Sequence, residues 1–193
     1  MKLPKRCYKT NGITMSKKNK NISKFLSYVL RHHPDKLGIT LDENGWTSVA
    51  ILLEKINVEP YSLSMEQLED VVATNNKKRF AFNEDKTMIR ASQGHSVNID
   101  LALQPKEPPN YLYHGTVEKF ITSIQDKGLI KGTRQHVHLS ADKETAINVG
   151  SRRGKPIILT VRSGEMHTQN HAFYQSENGV WLTEEVPTEF IEF

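Results

Sequence analysis

The sequence contains little that could cross-link the chain or hold it in a membrane. Cys7 is its only cysteine, so an intramolecular disulfide and a multi-cysteine metal site are both excluded. No apolar run approaches the roughly 20 residues that a membrane-spanning helix needs. Residues 1–21 also lack the apolar centre of a secretory signal. We therefore expect a cytoplasmic protein without a membrane partner, and we expect it to act as a monomer.

Acidic residues are absent from the first 21 positions, which carry seven lysines and arginines. The whole chain has a net charge of only +4, so the remainder is slightly acidic. Any anion site must then come from a few placed arginines rather than from a broad basic field. Residues 1–21 are predicted to be a basic, disordered leader.

Periodicity and turn signals indicate a first folded lobe over residues 22–101. Helical patterns precede "KKRFAFNEDKTMIRAS", whose alternation around a polar turn predicts a β-hairpin. Thr47 is a predicted helix N-cap, and Ser64 with Gln67 forms a predicted capping box. Helices followed by a hairpin favour a winged-helix lobe.

A proline-rich segment, residues 102–110, is a predicted linker to a second lobe over residues 111–193. In that lobe "YLYHGT", "HVHLS" and "KPIILTV" predict strands, and Ser140 is a predicted N-cap for the helix "ADKETAINVG". The second lobe is mixed α/β, and the predicted fold class of the chain is α+β.

The first predicted helix ends in charge and an abrupt stop. The apolar pattern of "SKFLSYVLRHHP" runs to Leu30 and is followed by Arg31, His32, His33 and Pro34. Cations near a helix C-terminus complement its macrodipole, and proline cannot continue the helix. The same helix end is also a rigid place from which a guanidinium and an imidazole could bind an anion. Position alone leaves both interpretations open.

Two histidine-containing segments are further candidates. His114-Gly115-Thr116 lies where a predicted strand meets a helix, a place that suits phosphate but also an ordinary strand–turn–helix junction. His136 and His138 share one face of a predicted strand. No third His or Cys ligand is near them in sequence, so we expect no metal.

Other arginines lie at element boundaries. Arg79 begins the predicted hairpin, and Arg152 and Arg153 stand between two glycines at a helix end. Solvated surface arginines would explain both patterns. The sequence has no nucleophile triad, zinc-hydrolase motif, Walker loop or GxGxxG turn, so a bound nucleotide would need another kind of site.

Eight segments follow one another in order from about residue 22 to the C-terminus: "SKFLSYVLRHHP", "GW", "VVATNNKKRFAF", "IRASQGHS", "YLYHGT", "HVHLSAD", "VGSRRGKPIIL" and "ENGVWLTEEVP". Taken together and in this order, they resemble the RNA 2′-phosphotransferase family.

The resemblance implies a winged-helix, RNA-binding lobe over residues 22–101 and an ADP-ribosyltransferase-like lobe that binds NAD over residues 111–193. It implies NAD-dependent removal of an internal 2′-phosphate from RNA, of the kind left at a tRNA splice junction. The reaction would proceed through an ADP-ribosylated RNA 2′-phosphate. Its products would be 2′-hydroxyl RNA, nicotinamide and ADP-ribose 1″,2″-cyclic phosphate.

The resemblance also implies roles for individual residues. The catalytic set falls on Arg31, His32, Arg79 and Arg152. The residues that bind NAD are expected to be His114, Gly115, Thr116, His138, Leu139 and Ser140. Gln93 and His95 are expected either to touch the RNA or to bridge the lobes. We hypothesise that His32 contacts the phosphate and assists proton transfer in the second step.

Protein-modifying ADP-ribosyltransferases commonly carry a glutamate on a late strand. The resemblance places Val180 at the matching position, with Glu177 three residues away. Two other functions stay open at this stage. One is ADP-ribosylation of proteins or nucleic-acid ends, and the other is nucleic-acid binding by the first lobe beside an inert second lobe.

Overall fold

The computed structural model describes residues 16–58, 62–75 and 77–193. Over these residues the chain is a mixed α+β protein with several small antiparallel sheets, which confirms the α+β class. Residues 1–15 of the predicted leader lie outside the described part. Its last five residues, 17–21, already belong to the first helix, so the prediction of a disordered segment extending to residue 21 is wrong there.

The helices and strands have the following bounds. The helices are α1 Lys17–Arg31, α2 Pro34–Leu37, α3 Val49–Ile56, α4 Met65–Ala73, α5 Ile121–Lys127, α6 Lys143–Gly150 and α7 Ser163–Thr168. The strands are β1 Thr47–Ser48, β2 Phe80–Phe82, β3 Met88–Ala91, β4 Leu112–Thr116, β5 Leu129–Ile130, β6 Val137–Leu139, β7 Ile157–Val161, β8 Phe173–Gln175, β9 Trp181–Thr183, β10 Glu185–Val186 and β11 Ile191–Glu192. In the described residues no helix has the length and apolar character needed to cross a membrane.

The first part of the chain packs around one hydrophobic cluster, here called the N-terminal core. Helices α1, α3 and α4 cover a sheet of order β1-β3-β2, in which β2 and β3 form the predicted hairpin. Leu26 and Leu30 of α1 meet Leu68 of α4 and Ile89 of β3 in this cluster, and each is fully buried. Their spacing on α1 places them on one face, as the apolar pattern predicted.

The later part packs around a second cluster, here called the C-terminal core. Its main sheets have the orders β11-β7-β4 and β6-β9-β8, and all their pairs are antiparallel. Leu112, Leu159 and Phe173 are fully buried there. Strands β4 and β6 meet at one place, where Tyr113 and Ser140 exchange backbone hydrogen bonds of 2.9 and 2.7 Å.

One of the three predicted helix N-caps is confirmed by the structure. Ser64 caps α4 with the complete capping box to Gln67, as predicted. Two other N-caps were predicted wrongly. Thr47 pairs with Ile89 in β1, and the next residue, Ser48, caps α3.

Ser140 was the other wrong N-cap. Its backbone is engaged by Tyr113 across the sheet, and Asp142 caps α6 instead, accepting from the backbone of Thr145 at 2.7 Å. Cross-strand pairing therefore displaced the helix start by two residues.

Glycine allows α6 to lie directly on β4. A Cβ atom at Gly115 would stand 1.9 Å from the carbonyl oxygen of Ala146 and 2.9 Å from the backbone nitrogen of Gly150. Because no side chain fits there, packing alone requires glycine at position 115. The contact sets the position of the turn that follows α6, which carries Arg152 and Arg153.

Candidate active site

The C-terminus of α1 places Arg31 among other cations. The helix ends at Arg31 because His32 and His33 both donate their backbone N–H groups to Tyr28, and Pro34 starts a new short helix. Arg31 is held between the two cores, and its Nη1 lies 3.6 Å from the position that a Cβ at Gly94 would take.

Two donor nitrogens of Arg31, Nε and Nη2, are buried and have no hydrogen-bond partner among the described residues. Burial and the nearby charges of Arg79 and Arg134 lower the pKa of Arg31 to about 10. A guanidinium with this pKa is still charged at neutral pH. A buried, charged group with unpaired donors is costly, which indicates a place for an anion.

His32 caps α1 and is held through its ring. Its Nδ1 lies 2.9 Å from the hydroxyl of Ser96. Partial burial, followed by the charges of Arg31 and Arg134, lowers the pKa of His32 below its ordinary value. At neutral pH the ring is therefore mainly neutral until an anion binds near it.

Arg79 stands immediately before β2 and is supported from below by a buried amide. Its Nη1 donates to Oδ1 of Asn75 at 3.4 Å, and the amide nitrogen of Asn75 donates to the hydroxyl of Ser23 at 3.0 Å. Asn75 also accepts from the backbone N–H of Lys77. Burial and the charge of Arg152 lower the pKa of Arg79. The two arginines are thus near enough to repel each other.

The four predicted catalytic residues therefore come together from distant parts of the chain. Each arginine among them lowers the pKa of a neighbour through its positive charge. Arg31 lowers the pKa of His32, and Arg79 lowers that of Arg31. Arg152 in turn lowers the pKa of Arg79. Arg134 joins the same group, and desolvation with the charges of Arg153 and Arg152 lowers its pKa. This set of Arg31, His32, Arg79, Arg134 and Arg152 is called the cationic cluster below.

No carboxylate in the described part of the chain forms a salt bridge with an arginine of the cationic cluster. Like charges that gather without a counter-charge destabilise a fold. A cluster of this kind attracts an anion with more than one negative charge, because each guanidinium can offer two parallel donors to phosphate oxygens. Helix capping alone explains Arg31 but leaves Arg79, Arg134 and Arg152 unexplained.

The predicted NAD-binding segments lie side by side next to this cluster. Nδ1 of His114 on β4 donates to the carbonyl oxygen of His138 on β6 at 3.1 Å. Burial lowers the pKa of His114 and lowers that of His138 to about 3, so both rings are neutral. The remaining nitrogen of His114, Nε2, then carries a lone pair and can accept a hydrogen bond from a ligand.

Not every predicted NAD-binding side chain can reach a ligand in this conformation. Leu139 is 1% exposed and Thr116 is 7% exposed, and Leu139 belongs to the C-terminal core. Any contact from Leu139 would have to come from its backbone. His138 lies within β6 and Ser140 directly follows that strand, and both are less buried.

Gln93 and His95 connect the two cores. Oε1 of Gln93 accepts from Nε2 of His138 at 2.7 Å, and the carbonyl oxygen of His95 accepts from the backbone N–H of Gln135 at 3.2 Å. His95 is 1% exposed, which leaves no surface for RNA. The geometry favours the bridging alternative for both residues.

Glu177 also lies at the contact between the cores. Its carboxylate accepts from Nη2 of Arg90 at 2.6 Å, and the guanidinium of Arg90 stacks over Trp46 at 4.5 Å from the ring centre. The next residue, Asn178, donates to the carbonyl oxygen of Lys77. The carboxylate of Glu177 is thus engaged with the hairpin rather than free to act as a base.

Sequence reasoning missed three residues that shape the site, namely Asn75, Ser96 as a partner of His32, and Arg134. Arg134 could have been found, because it continues the alternation of His136 and His138 two residues earlier. Ser96 contacts His32 across 64 residues, and the hydrogen bond that anchors Asn75 to Ser23 crosses 52 residues, so the sequence carries no local signal for either contact. In the parts of the chain that are described, no group of three or more His, Cys, Asp or Glu side chains is arranged to hold a metal ion.

An apolar groove of about 740 Å³ lies elsewhere on the molecule, lined by parts of α1, α2 and α3. Phe25, Leu37 and Ile56 contribute to its walls, and no residue of the cationic cluster does. The groove is therefore separate from the candidate active site.

Known proteins resemble this chain over nearly its whole length. The family model of the RNA 2′-phosphotransferase, Tpt1/KptA family matches residues 17–185. A probable RNA 2′-phosphotransferase of Flavobacterium johnsoniae is 63% identical over 174 residues, which cover 90% of this chain and 96% of the relative. Probable RNA 2′-phosphotransferases of Pectobacterium carotovorum and Burkholderia pseudomallei are 49% and 52% identical, covering 91% and 89% of this chain and 95% and 93% of the relatives. Because the family match covers most of both cores and the whole cationic cluster, the chain belongs to the RNA 2′-phosphotransferase, Tpt1/KptA family.

Proposed function

We propose that this protein removes an internal 2′-phosphate from RNA and that the cationic cluster binds that phosphate. The observation that carries the proposal is the buried Arg31, whose Nε and Nη2 donors have no partner among the described residues. A 2′-phosphate dianion would accept from these donors and would relieve the mutual repulsion of Arg31, Arg79 and Arg134.

NAD is the proposed co-substrate, and it supplies the ADP-ribose group that accepts the phosphate as nicotinamide departs. The neighbouring segments of β4 and β6 are the proposed place for it. Nε2 of His114 can accept from a ribose hydroxyl, because its Nδ1 is committed to the carbonyl oxygen of His138. Ser140, which directly follows β6 and is half-buried, offers its hydroxyl beside it.

The side chains of this protein have separate tasks in the proposed reaction. Arg31 and Arg79 orient the phosphate through forked donors, and Arg152 adds positive charge where negative charge develops. His32 donates to a phosphate oxygen and assists proton transfer when the phosphate leaves the RNA. A phosphate is already anionic and needs no carboxylate base, which agrees with the engagement of Glu177 by Arg90.

The two cores support a division of labour along the chain. We assign residues 22–101, with the N-terminal core, to a winged-helix lobe that holds the RNA. Residues 111–193, with the C-terminal core, would be an ADP-ribosyltransferase-like lobe that holds NAD, and residues 102–110 would link the two. The separate hydrophobic clusters and the β2–β3 hairpin support this assignment.

The experiment uses the full-length protein, NAD and an oligonucleotide with one internal 2′-phosphate, in the presence of a metal chelator. The proposal predicts equal yields of 2′-hydroxyl RNA and nicotinamide. The same oligonucleotide without the 2′-phosphate should release no nicotinamide. Release of inorganic phosphate without nicotinamide would instead indicate an ordinary phosphatase, and stable transfer of label from NAD to an RNA end would indicate a different transferase.

A further inference from the structure

The segment Gln93–Ser96 follows β3 and touches the candidate site at several points. Gln93 accepts from His138, Gly94 lies between the side chains of Arg31 and His138, and the carbonyl oxygen of His95 accepts from the backbone of Gln135. Only glycine fits easily at position 94, whose φ of +87° lies in the left-handed region. The segment therefore fixes the approach of α1 to β6.

Ser96 ends this segment and makes two contacts to neighbouring residues of α1. Its backbone N–H donates to the carbonyl oxygen of Arg31 at 3.0 Å. Its hydroxyl lies 2.9 Å from Nδ1 of His32. One residue thus holds both the backbone that carries Arg31 and the ring of His32.

A neutral imidazole carries one proton, and a serine hydroxyl can either donate to its unprotonated nitrogen or accept from its protonated one. The nitrogen that must donate to a bound phosphate then decides between these two arrangements. The charged and titratable groups that act on His32 are Arg31, Arg134 and His33, and all of them disfavour a second proton on its ring. His95 packs close by as well, and burial with the charge of Arg31 keeps its ring neutral. The ring of His32 is therefore mainly neutral, and its single proton can lie on either Nδ1 or Nε2.

We infer that Ser96 is a positioning residue for the proposed 2′-phosphate transfer: its hydroxyl donates to Nδ1 of His32, which leaves the ring proton on Nε2. In the described residues Nε2 has no hydrogen-bond partner, so it is the nitrogen left to donate to the substrate phosphate. Without the hydroxyl, the ring would populate both tautomers and several orientations. This inference rests on the proposed function for its consequence, but the tautomer itself is a property of the free protein.

The first test reads the tautomer directly by ¹⁵N NMR of the imidazole nitrogens in the full-length protein without substrate. In the wild type the signals of His32 should show Nε2 protonated and Nδ1 unprotonated. The variant Ser96→Ala should show exchange between the two tautomers. A wild-type ring with its proton on Nδ1 would overturn the inference, whether or not the protein turns over any RNA.

The second test is kinetic and separates positioning from simple support of the fold. Ser96→Ala should lower kcat about tenfold while KM for the RNA changes little, since one hydrogen bond to the ring is lost. Ser96→Thr keeps the hydroxyl and should restore most of the rate. Ser27→Ala is the matched control, because among the described residues the hydroxyl of Ser27 donates to the carbonyl oxygen of Ser23 within α1 and to no other group.

A double variant decides whether Ser96 acts through His32. In a His32→Ala background, Ser96→Ala should cause no further loss of kcat. An equal loss in both backgrounds would mean that Ser96 acts elsewhere, and the inference would be rejected. A wild type that fails to release nicotinamide would contradict the proposed function instead, and the NMR result would still decide the tautomer.

Discussion

The two cores hold their cations in different ways. On the N-terminal core, Arg31 ends a 15-residue helix with two buried donors, and Arg79 rests on the buried amide of Asn75. On the C-terminal core, Arg152 is exposed on a short 3-10 turn, and Arg134 stands in a loop before β6. The first pair is preorganised by burial and by the amide of Asn75, whereas no hydrogen bond or salt bridge among the described residues holds the guanidinium groups of the second pair. We therefore expect binding of the proposed 2′-phosphate to depend more on the first pair than on the second.

The preorganised pair should give the largest effects. Arg31→Ala and Arg79→Ala should each lower kcat by roughly 100- to 1000-fold, the loss typical of a preorganised donor to developing charge. Arg31→Lys should recover little of the rate, because an ammonium lacks the planar fork. Single-turnover rates with 2′-phosphorylated RNA and NAD measure these losses.

Arg162→Ala is a suitable control for that series. Arg162 pairs with Glu165 at the start of α7 and takes no part in the cationic cluster. Its rate should stay near that of the wild type. Comparable losses in the control and in Arg31→Ala would show that the assay reports folding rather than phosphate binding.

Substitution of an arginine on the C-terminal core should lower the activity somewhat less. Two neighbouring arginines there, Arg152 and Arg153, can be compared directly. Arg152→Ala should lower kcat/KM by about 100-fold because a cation near the phosphate is lost. Arg153 stacks on Phe120 instead, at 5.8 Å from the ring centre. Arg153→Ala should therefore cost about tenfold or less, as expected for a more distant charge. Equal losses for the two variants would remove the reason to distinguish them.

The support beneath Arg79 should matter less than Arg79 itself. Asn75→Ala leaves the hydroxyl of Ser23 and one donor of Arg79 without their partner. We expect a loss of about 1–3 kcal/mol in the free energy of unfolding, together with about a tenfold lower kcat. Chemical denaturation and single-turnover kinetics measure the two effects. Asn83→Ala is the control, because the amide of Asn83 bonds within the turn of the same hairpin and should leave kcat unchanged.

Substitution of His95, which connects the two cores, should have the smallest effect on catalysis. It should nevertheless change the pH dependence of the free energy of unfolding. Burial lowers the pKa of His95 to about 3, below its ordinary value of 6.5 in the unfolded chain. Between these values the unfolded state binds more protons than the folded state, so the free energy of unfolding rises with pH. Its contribution is at most about 1.4 kcal/mol per pH unit between pH 5 and 6.5.

Urea denaturation at several pH values measures that slope. His95→Gln should reduce it without abolishing it, because His138 is also buried and neutral. An unchanged slope would mean that His95 is not held neutral between the cores.

Local features of the fold could be predicted from sequence, while the site required contacts over long distances. The end of α1 at Arg31, the capping box at Ser64 and the β2–β3 hairpin follow from signals a few residues long. The N-caps predicted at Thr47 and Ser140 were wrong because strand pairing with Ile89 and Tyr113 took those residues. The helix-capping preference of a residue does not show whether a distant strand will pair with that residue instead.

The same limit applies to the residues that support the site. The family resemblance predicted Arg31, His32, Arg79 and Arg152. In the structure these four residues lie near enough for their charges to shift one another's pKa. The need for glycine at position 115 arises from helix packing, which no local pattern shows.

The central claim is that guanidinium groups from both cores bind one 2′-phosphate. Calorimetry can test it by comparing an oligonucleotide that carries one internal 2′-phosphate with the same oligonucleotide lacking it. The wild type should bind the phosphorylated form more tightly. Arg31→Ala and Arg152→Ala should each remove most of that preference, and the double variant should remove little more. Equal binding of the two oligonucleotides by the wild type, or losses that simply add in the double variant, would contradict a single shared phosphate site.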